Sequence, residues 1–106
     1  MKREFDWDAN KERLNIRKHG IDFSTAMEVF RDPRHVTIQD RFENGEYRWQ
    51  TVGFSTTCGC LLLLVAHTLD EIEDDEDEDY EYIRIISARK ADREAKKRYQ
   101  AGEDGV

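Results

Sequence analysis

The chain has 106 residues, room for one domain and one core, and folding should hide about 65% of the surface that the unfolded chain exposes. A composition 38% hydrophobic and 39% charged is polar for a globular protein, yet Trp7, Trp49, five Phe and four Tyr can support a modest core. No apolar run follows Met1-Lys2-Arg3, and the longest apolar stretch, Leu61 to Ala66, is far too short to span a bilayer, so a single cytoplasmic domain over residues 1–106 without membrane contact is expected.

The net charge of −7 is an average over two unlike parts. Ten of the 24 acids lie in Asp70 to Glu81, which leaves 14 acids against 17 bases and a net charge of +3 elsewhere. A nucleic-acid partner responds to the local potential of a basic face more than to the summed charge.

Glu4-Phe5-Asp6-Trp7 alternates polar and aromatic residues and predicts a short strand. Asp8 can cap a polar helix running from Ala9 to His19 and ended by Gly20, with Leu14 and Ile16 as its apolar anchors. Phe23, Ala26, Met27 and Phe30 follow the spacing of one buried helical stripe, opened by Asp22 or Ser24 and stopped by Asp32-Pro33.

From His35 the period changes to two, over His35 to Asp40, Tyr47 to Ser55 and Leu61 to Thr68. Asn44-Gly45 predicts a hairpin between the first two strands, and Thr57-Cys58-Gly59 a turn between the second and third. Tyr82 to Ala88 reads as a further strand, and Ala91, Ala95 and Tyr99 mark a helix ended by Gly102 with a short tail beyond.

Helices grouped before and after a meander predict an α+β fold: an antiparallel sheet with two N-terminal helices and one C-terminal helix packed on it, one face covered and the other free. Asp70 to Glu81 has too few apolar residues to fold alone and reads as a flexible acidic hairpin loop, either a solvated tract or a tethered mimic of RNA phosphates. Cys58 and Cys60, with no further Cys, read as a reduced pair, and neither a metal nor a cofactor is expected.

Nucleotide-binding glycine loops, serine nucleophile elbows and His pairs at helical metal spacing are missing from the sequence. Cationic and imidazole side chains are plentiful in the predicted elements, among them Lys18, His19, Arg48, His67, Arg84, Arg89 and Lys90. RNA cleavage without a metal requires only removal of the 2′-hydroxyl proton, neutralisation of the developing phosphate charge and protonation of the departing 5′-oxygen. Each residue also has an ordinary explanation. Lys18 and His19 suit a helix C-terminus, His67 a strand end satisfied by a carbonyl, and Arg48 with Glu46 a surface ion pair of little energy. Arg84 resists such dismissal, because it interrupts Tyr82-Ile83-Ile85-Ile86, where a charge must find a partner or a cleft.

These segments resemble a known family. Phe5-Asp6-Trp7-Asp8, Asn15-Ile16-Arg17-Lys18-His19-Gly20-Ile21-Asp22-Phe23, Phe30-Arg31-Asp32-Pro33, Glu46-Tyr47-Arg48-Trp49 and Ile83-Arg84-Ile85-Ile86-Ser87-Ala88-Arg89-Lys90-Ala91 are similar to the BrnT toxins of bacterial type II toxin-antitoxin pairs. The resemblance implies a RelE-like ribonuclease fold, translation arrest by RNA cleavage, and neutralisation by a BrnA-type antitoxin whose ribbon-helix-helix part binds DNA, the toxin reaching DNA only through it. Arg48, Arg84 and Arg89 are then expected to stabilise phosphate charge, His67 to act as acid or base, and Trp7, Lys18, His19, Glu46 and Lys90 to bind RNA.

The sequence departs from that pattern at Cys60, where a basic residue is common, at Leu69-Asp70, where an acid and Arg usually end the strand, at Ala95 in place of Glu, and in the acidic expansion. Each missing phosphate contact should flatten the salt dependence of RNA binding by about one released ion. A rival reading is therefore a catalytically weakened module that acts only in a DNA-binding autorepressor with its antitoxin. A plain acidic-loop adaptor fits less well with Arg84 and the basic remainder.

Overall fold

The structure is a computed structural model that describes residues 2–57, 61–73 and 78–102. Strand β1 (Lys2–Trp7) leads into helix α1 (Ala9–His19) and helix α2 (Phe23–Met27), which tightens into a 3-10 turn at Glu28–Arg31. Strands β2 (Val36–Glu43), β3 (Glu46–Ser55), β4 (Leu61–His67), β5 (Asp70–Ile72) and β6 (Tyr80–Lys90) follow, and helix α3 (Arg93–Ala101) closes the order.

Local chemistry sets the boundaries. The Asp8 carboxylate accepts from Asn10 N–H at the start of α1, and Asp22 and Asp92 cap α2 and α3 through Thr25 N–H and Ala95 N–H. Asn44 and Gly45, with φ of 53° and 80°, make the two left-handed positions required by the β2–β3 turn. Gly53 is required for a different reason: a Cβ there would lie 2.9 Å from the Val29 carbonyl oxygen, where the 3-10 turn packs directly on β3.

The sheet order is β1-β6-β4-β3-β2, with β5 also pairing β6. The α+β class stands, and the β1–β6 pair runs parallel, with Phe5 beside Ile83, so the sheet is mixed. Alternation along the strands defines two faces. Leu63, Val65, Ile83, Ile85 and Ala88 pack with Phe23, Ala26, Val29 and Phe30 beneath α2 and the 3-10 turn. On the opposite face Val36, Val52 and Leu64 pack with Ala91 and Ala95 of α3. The helices therefore divide between the two faces, contrary to the expectation of one covered face. The short α3, anchored through Ala95 and Tyr99, covers only one end of its face and leaves the other end open.

Two further expectations change. Leu14 and Ile16 do not anchor α1, since they are 62% and 44% exposed, and the buried residue of that helix is Asn15. Its carboxamide donates to the carbonyls of Ile21 and Ala88 at 2.9 Å each and accepts from Ala88 N–H at 3.0 Å. The acidic run is not wholly a loop: Asp70, Glu71 and Ile72 form β5 and pair antiparallel with Tyr82, Glu81 and Tyr80 of β6. Its centre at 74–77, the expected turn with Cys58 and Cys60 at 58–60, and the tail at 103–106 lie outside the described residues.

Asp32 joins three elements. Its carboxylate accepts from Arg34 N–H and Phe54 N–H, both at 2.9 Å, and from the Tyr99 hydroxyl at 2.7 Å, tying α3 to β3. Partial burial pushes its carboxyl up, but these hydrogen bonds outweigh that and hold it below the usual range. Burial first, and then the bond to Asp32, pushes the Tyr99 phenol up to about 12.

Candidate functional site

The open end of the α3 face carries the arginine cluster. Glu46 begins β3, Arg48 follows two residues later on the same face, and Arg84 lies in β6, where residues alternate with Ile83 and Ile85 of the buried face. Arg84 Nη2 lies 2.5 Å from Glu46 Oε1, and Arg48 Nη2 lies 3.4 Å from the same oxygen. One carboxylate thus holds two guanidinium groups, and Glu46 is the partner that the mid-strand position of Arg84 demands. The Arg48 side chain is only 12% exposed, and its Nε finds no acceptor among the described residues.

Two acids adjoin this cluster. Tyr82, two residues before Arg84, donates its hydroxyl to Asp6 Oδ2 at 2.6 Å. That bond, together with Trp7 N–H, holds the Asp6 carboxyl below its ordinary value, and the same bond raises the Tyr82 phenol. Asp70 pairs with Tyr82 across β5–β6. Arg84 is thus ion-paired with Glu46 and within electrostatic reach of Asp6, while Asp70 stands beside their neighbour Tyr82.

Further along the same face, a groove of about 580 Å³ opens between α1 and the sheet. Lys18, His19 and Arg89 line it together with Gln50, which stands two residues beyond Arg48 on β3, roughly 7 Å along the strand. The structure thus brings Lys18, His19 and Arg89 into one groove beside the Glu46, Arg48 and Arg84 cluster. Arg89 also lies 3.5 Å from Asp92, which belongs to the α3 cap.

Trp7, His67 and Lys90 fall on the other face. Trp7 packs edge-on against Phe23 with ring centroids 6.0 Å apart. Lys90 lies in register with Leu63 and alternates with Arg89, which directs it away from the cluster. His67 is 0% exposed, with Nδ1 donating to Thr68 O and Nε2 accepting from the Thr51 hydroxyl, both at 2.7 Å. Burial drives the imidazole down to about 4, so it is neutral at pH 7. A cavity of about 370 Å³ beside it, lined also by His35, Trp49, Arg3 and Glu81, sits on this covered face and is separate from the arginine cluster.

Sequence reasoning missed Asp6, Tyr82 and Gln50 as neighbours of the site. The alternation of Glu4 to Trp7 already set Asp6 opposite Phe5 and Trp7, but its placement beside Arg84 depends on the parallel pairing of β1 with β6. Among the described residues no group of three or more His, Cys, Asp or Glu is placed to hold a metal ion, and no helix is long and apolar enough to cross a membrane.

Fold and site together define a small mixed-sheet α+β protein with an open, arginine-centred face suited to anionic partners. Residues 7–95 match the family described as ribonuclease toxin, BrnT, of type II toxin-antitoxin system, and the chain belongs to that family. No curated protein matches it closely enough to count as a relative. At the family level the activity is that of a ribonuclease toxin, and a type II pair implies an antitoxin partner.

Proposed function

We propose that this chain is itself an endoribonuclease, that it cleaves RNA without a metal, and that the Glu46, Arg48 and Arg84 cluster does the chemistry. The observation that carries this reading is the single Glu46 oxygen shared by two guanidinium groups on an open sheet face. Glu46 takes the proton of the ribose 2′-hydroxyl, and the 2′-oxygen attacks the adjacent phosphorus. The bond from phosphorus to the 5′-oxygen breaks, leaving a 2′,3′-cyclic phosphate, and the departing oxygen takes a proton from solvent. Arg84 and Arg48 stabilise the charge that grows on the phosphoryl oxygens, since each guanidinium has donors beyond those turned to Glu46. Lys18, His19 and Arg89 hold the RNA backbone in the adjoining groove. His67, sealed on the opposite face, is assigned a packing role in place of acid or base.

In the cell this activity arrests translation in the cytoplasm, and a BrnA-type antitoxin with a ribbon-helix-helix DNA-binding part neutralises it. The alternative, a weakened module working only within an autorepressor, is favoured by one feature: Glu46 and Asp6 match Arg48 and Arg84 charge for charge, and Asp70 adds a further acid beside Tyr82.

Incubating the purified chain with RNA in excess chelator separates the two. Fragments ending in 2′,3′-cyclic phosphate, lost when the scissile ribose is 2′-deoxy, are expected from the nuclease. Intact RNA after prolonged incubation with the purified chain in molar excess is the outcome that leaves only the binding module.

A further inference from the structure

The groove beside α1 has a floor that RNA does not require. Helix α1 presents Lys11, Leu14 and Lys18 along one stripe, and Leu14 is 62% exposed although it sits inside the groove. Ala66 and Ile86 continue the apolar floor from the sheet, while Arg41 and Arg89 join the two lysines at the rim, against Asp40 as the acid lining it. A phosphate backbone would be served by the rim alone, and no Phe, Tyr or Trp is among the residues lining this groove to stack a base. A Leu exposed on a helix that otherwise buries only Asn15 is better matched by another protein's apolar side chain.

The geometry points to this groove as the docking surface for an acidic amphipathic helix of the antitoxin, which sets apolar side chains on Leu14, Ala66 and Ile86 and carboxylates against Lys11, Lys18, Arg41 and Arg89. A helix is indicated because the groove runs along α1, whose Lys11, Leu14 and Lys18 recur at three- and four-residue spacing and form a stripe that a second helix packed alongside can follow. Lys11 and Lys18 lie seven residues apart, two turns or roughly 10 Å along the axis, a spacing that acids two turns apart on an antiparallel helix can meet. Since Lys18 and Arg89 are assigned above to RNA, the same occupant shuts the RNA path. The identity of the occupant rests on the toxin reading; the docking surface does not depend on whether this chain cleaves RNA.

The test uses the whole toxin with its purified antitoxin and compares Leu14→Gln with the unaltered chain. Leu14 is outside the catalytic and RNA-binding sets, and its exposure keeps the fold intact, to be checked by circular dichroism. Antitoxin affinity measured by titration calorimetry should fall roughly 10- to 100-fold, the loss expected when a buried Leu contact becomes polar. RNA cleavage by the toxin alone should be unchanged, and growth arrest should persist when the antitoxin is co-produced at a level that rescues the unaltered toxin. Unaltered antitoxin affinity in Leu14→Gln overturns the docking surface. So does a fall in RNA cleavage with antitoxin binding intact, which would make the groove an RNA track only. Should the unaltered chain cleave nothing, the nuclease reading fails, and the calorimetric comparison still decides the docking surface.

Discussion

The carboxamide of Asn15 takes the place of a strand beside Ala88. Strand β1 pairs with β6 only as far as Ile85, and three residues later the Ala88 N–H and C=O both turn to Asn15, at 3.0 and 2.9 Å. A third bond reaches the Ile21 carbonyl, so one side chain closes the sheet edge, fixes α1 and anchors the chain entering α2. This matters for function because α1 forms one wall of the groove that holds Lys18 and His19.

Replacing Asn15 by Ala should cost about 2–5 kcal/mol, because the side chain is 6% exposed and its loss leaves buried backbone groups without partners. Asn15→Asp should be no better. It keeps an acceptor for Ala88 N–H but faces two carbonyls with a carboxylate. Urea unfolding of both variants measures the loss, and a change below 1 kcal/mol in Asn15→Ala would refute the edge-closing role.

Glu46→Gln separates chemistry from binding. The amide cannot take the 2′-hydroxyl proton, so cleavage should fall by about 10²- to 10³-fold. RNA affinity should hold or tighten, since a negative charge beside Arg84 and Arg48 has gone. Arg84→Ala, in contrast, should weaken both affinity and cleavage. Single-turnover cleavage and equilibrium binding on the same RNA read the two effects, and full activity in Glu46→Gln would remove it as the base.

His67 predicts a specific loss of stability in mild acid. Its imidazole lies at about 4 in the folded protein against about 6.5 when unfolded, so below pH 6.5 the unfolded chain takes up a proton that the folded chain refuses. Stability from this group is therefore complete above pH 6.5, declines as pH falls, and levels off near pH 4. The decline should be about 2 kcal/mol between pH 7.5 and pH 5, a window above the range in which Asp32 titrates. Urea midpoints across that window test this, and a His67→Gln variant should show a much flatter profile.

Asp70 should oppose RNA from the edge of the cluster. It sits across from Tyr82, two residues from Arg84, and removing its charge in Asp70→Asn should tighten RNA binding about two- to fivefold at low salt. At several hundred millimolar salt, where the Debye length drops to a few ångströms, the difference should vanish. Equal affinities for the two chains at low ionic strength would confine the acidic run to solubility.

Local sequence signals were enough for the family and for every element except β5. Periods of 3.6 and two, the caps at Asp8 and Asp22, the Asn44-Gly45 turn and the runs around Lys18-His19-Gly20 and Arg84 to Lys90 are local signals, written in neighbouring residues. Tertiary structure decided which side chains meet. Glu46 reaches Arg84 over 38 positions and Asp6 reaches Tyr82 over 76, distances that only strand order and register can close. Alternation on one strand could separate Arg89 from Lys90 or Asp6 from Trp7, but it could not say which face stays open until α3 was seen to cover one end of the sheet and α2 the other side. His67 shows the limit most clearly. Its residue type suited acid–base chemistry, yet pairing with Trp49 and Ile85 placed it in the interior, where desolvation keeps it neutral and its neighbours occupy both nitrogens.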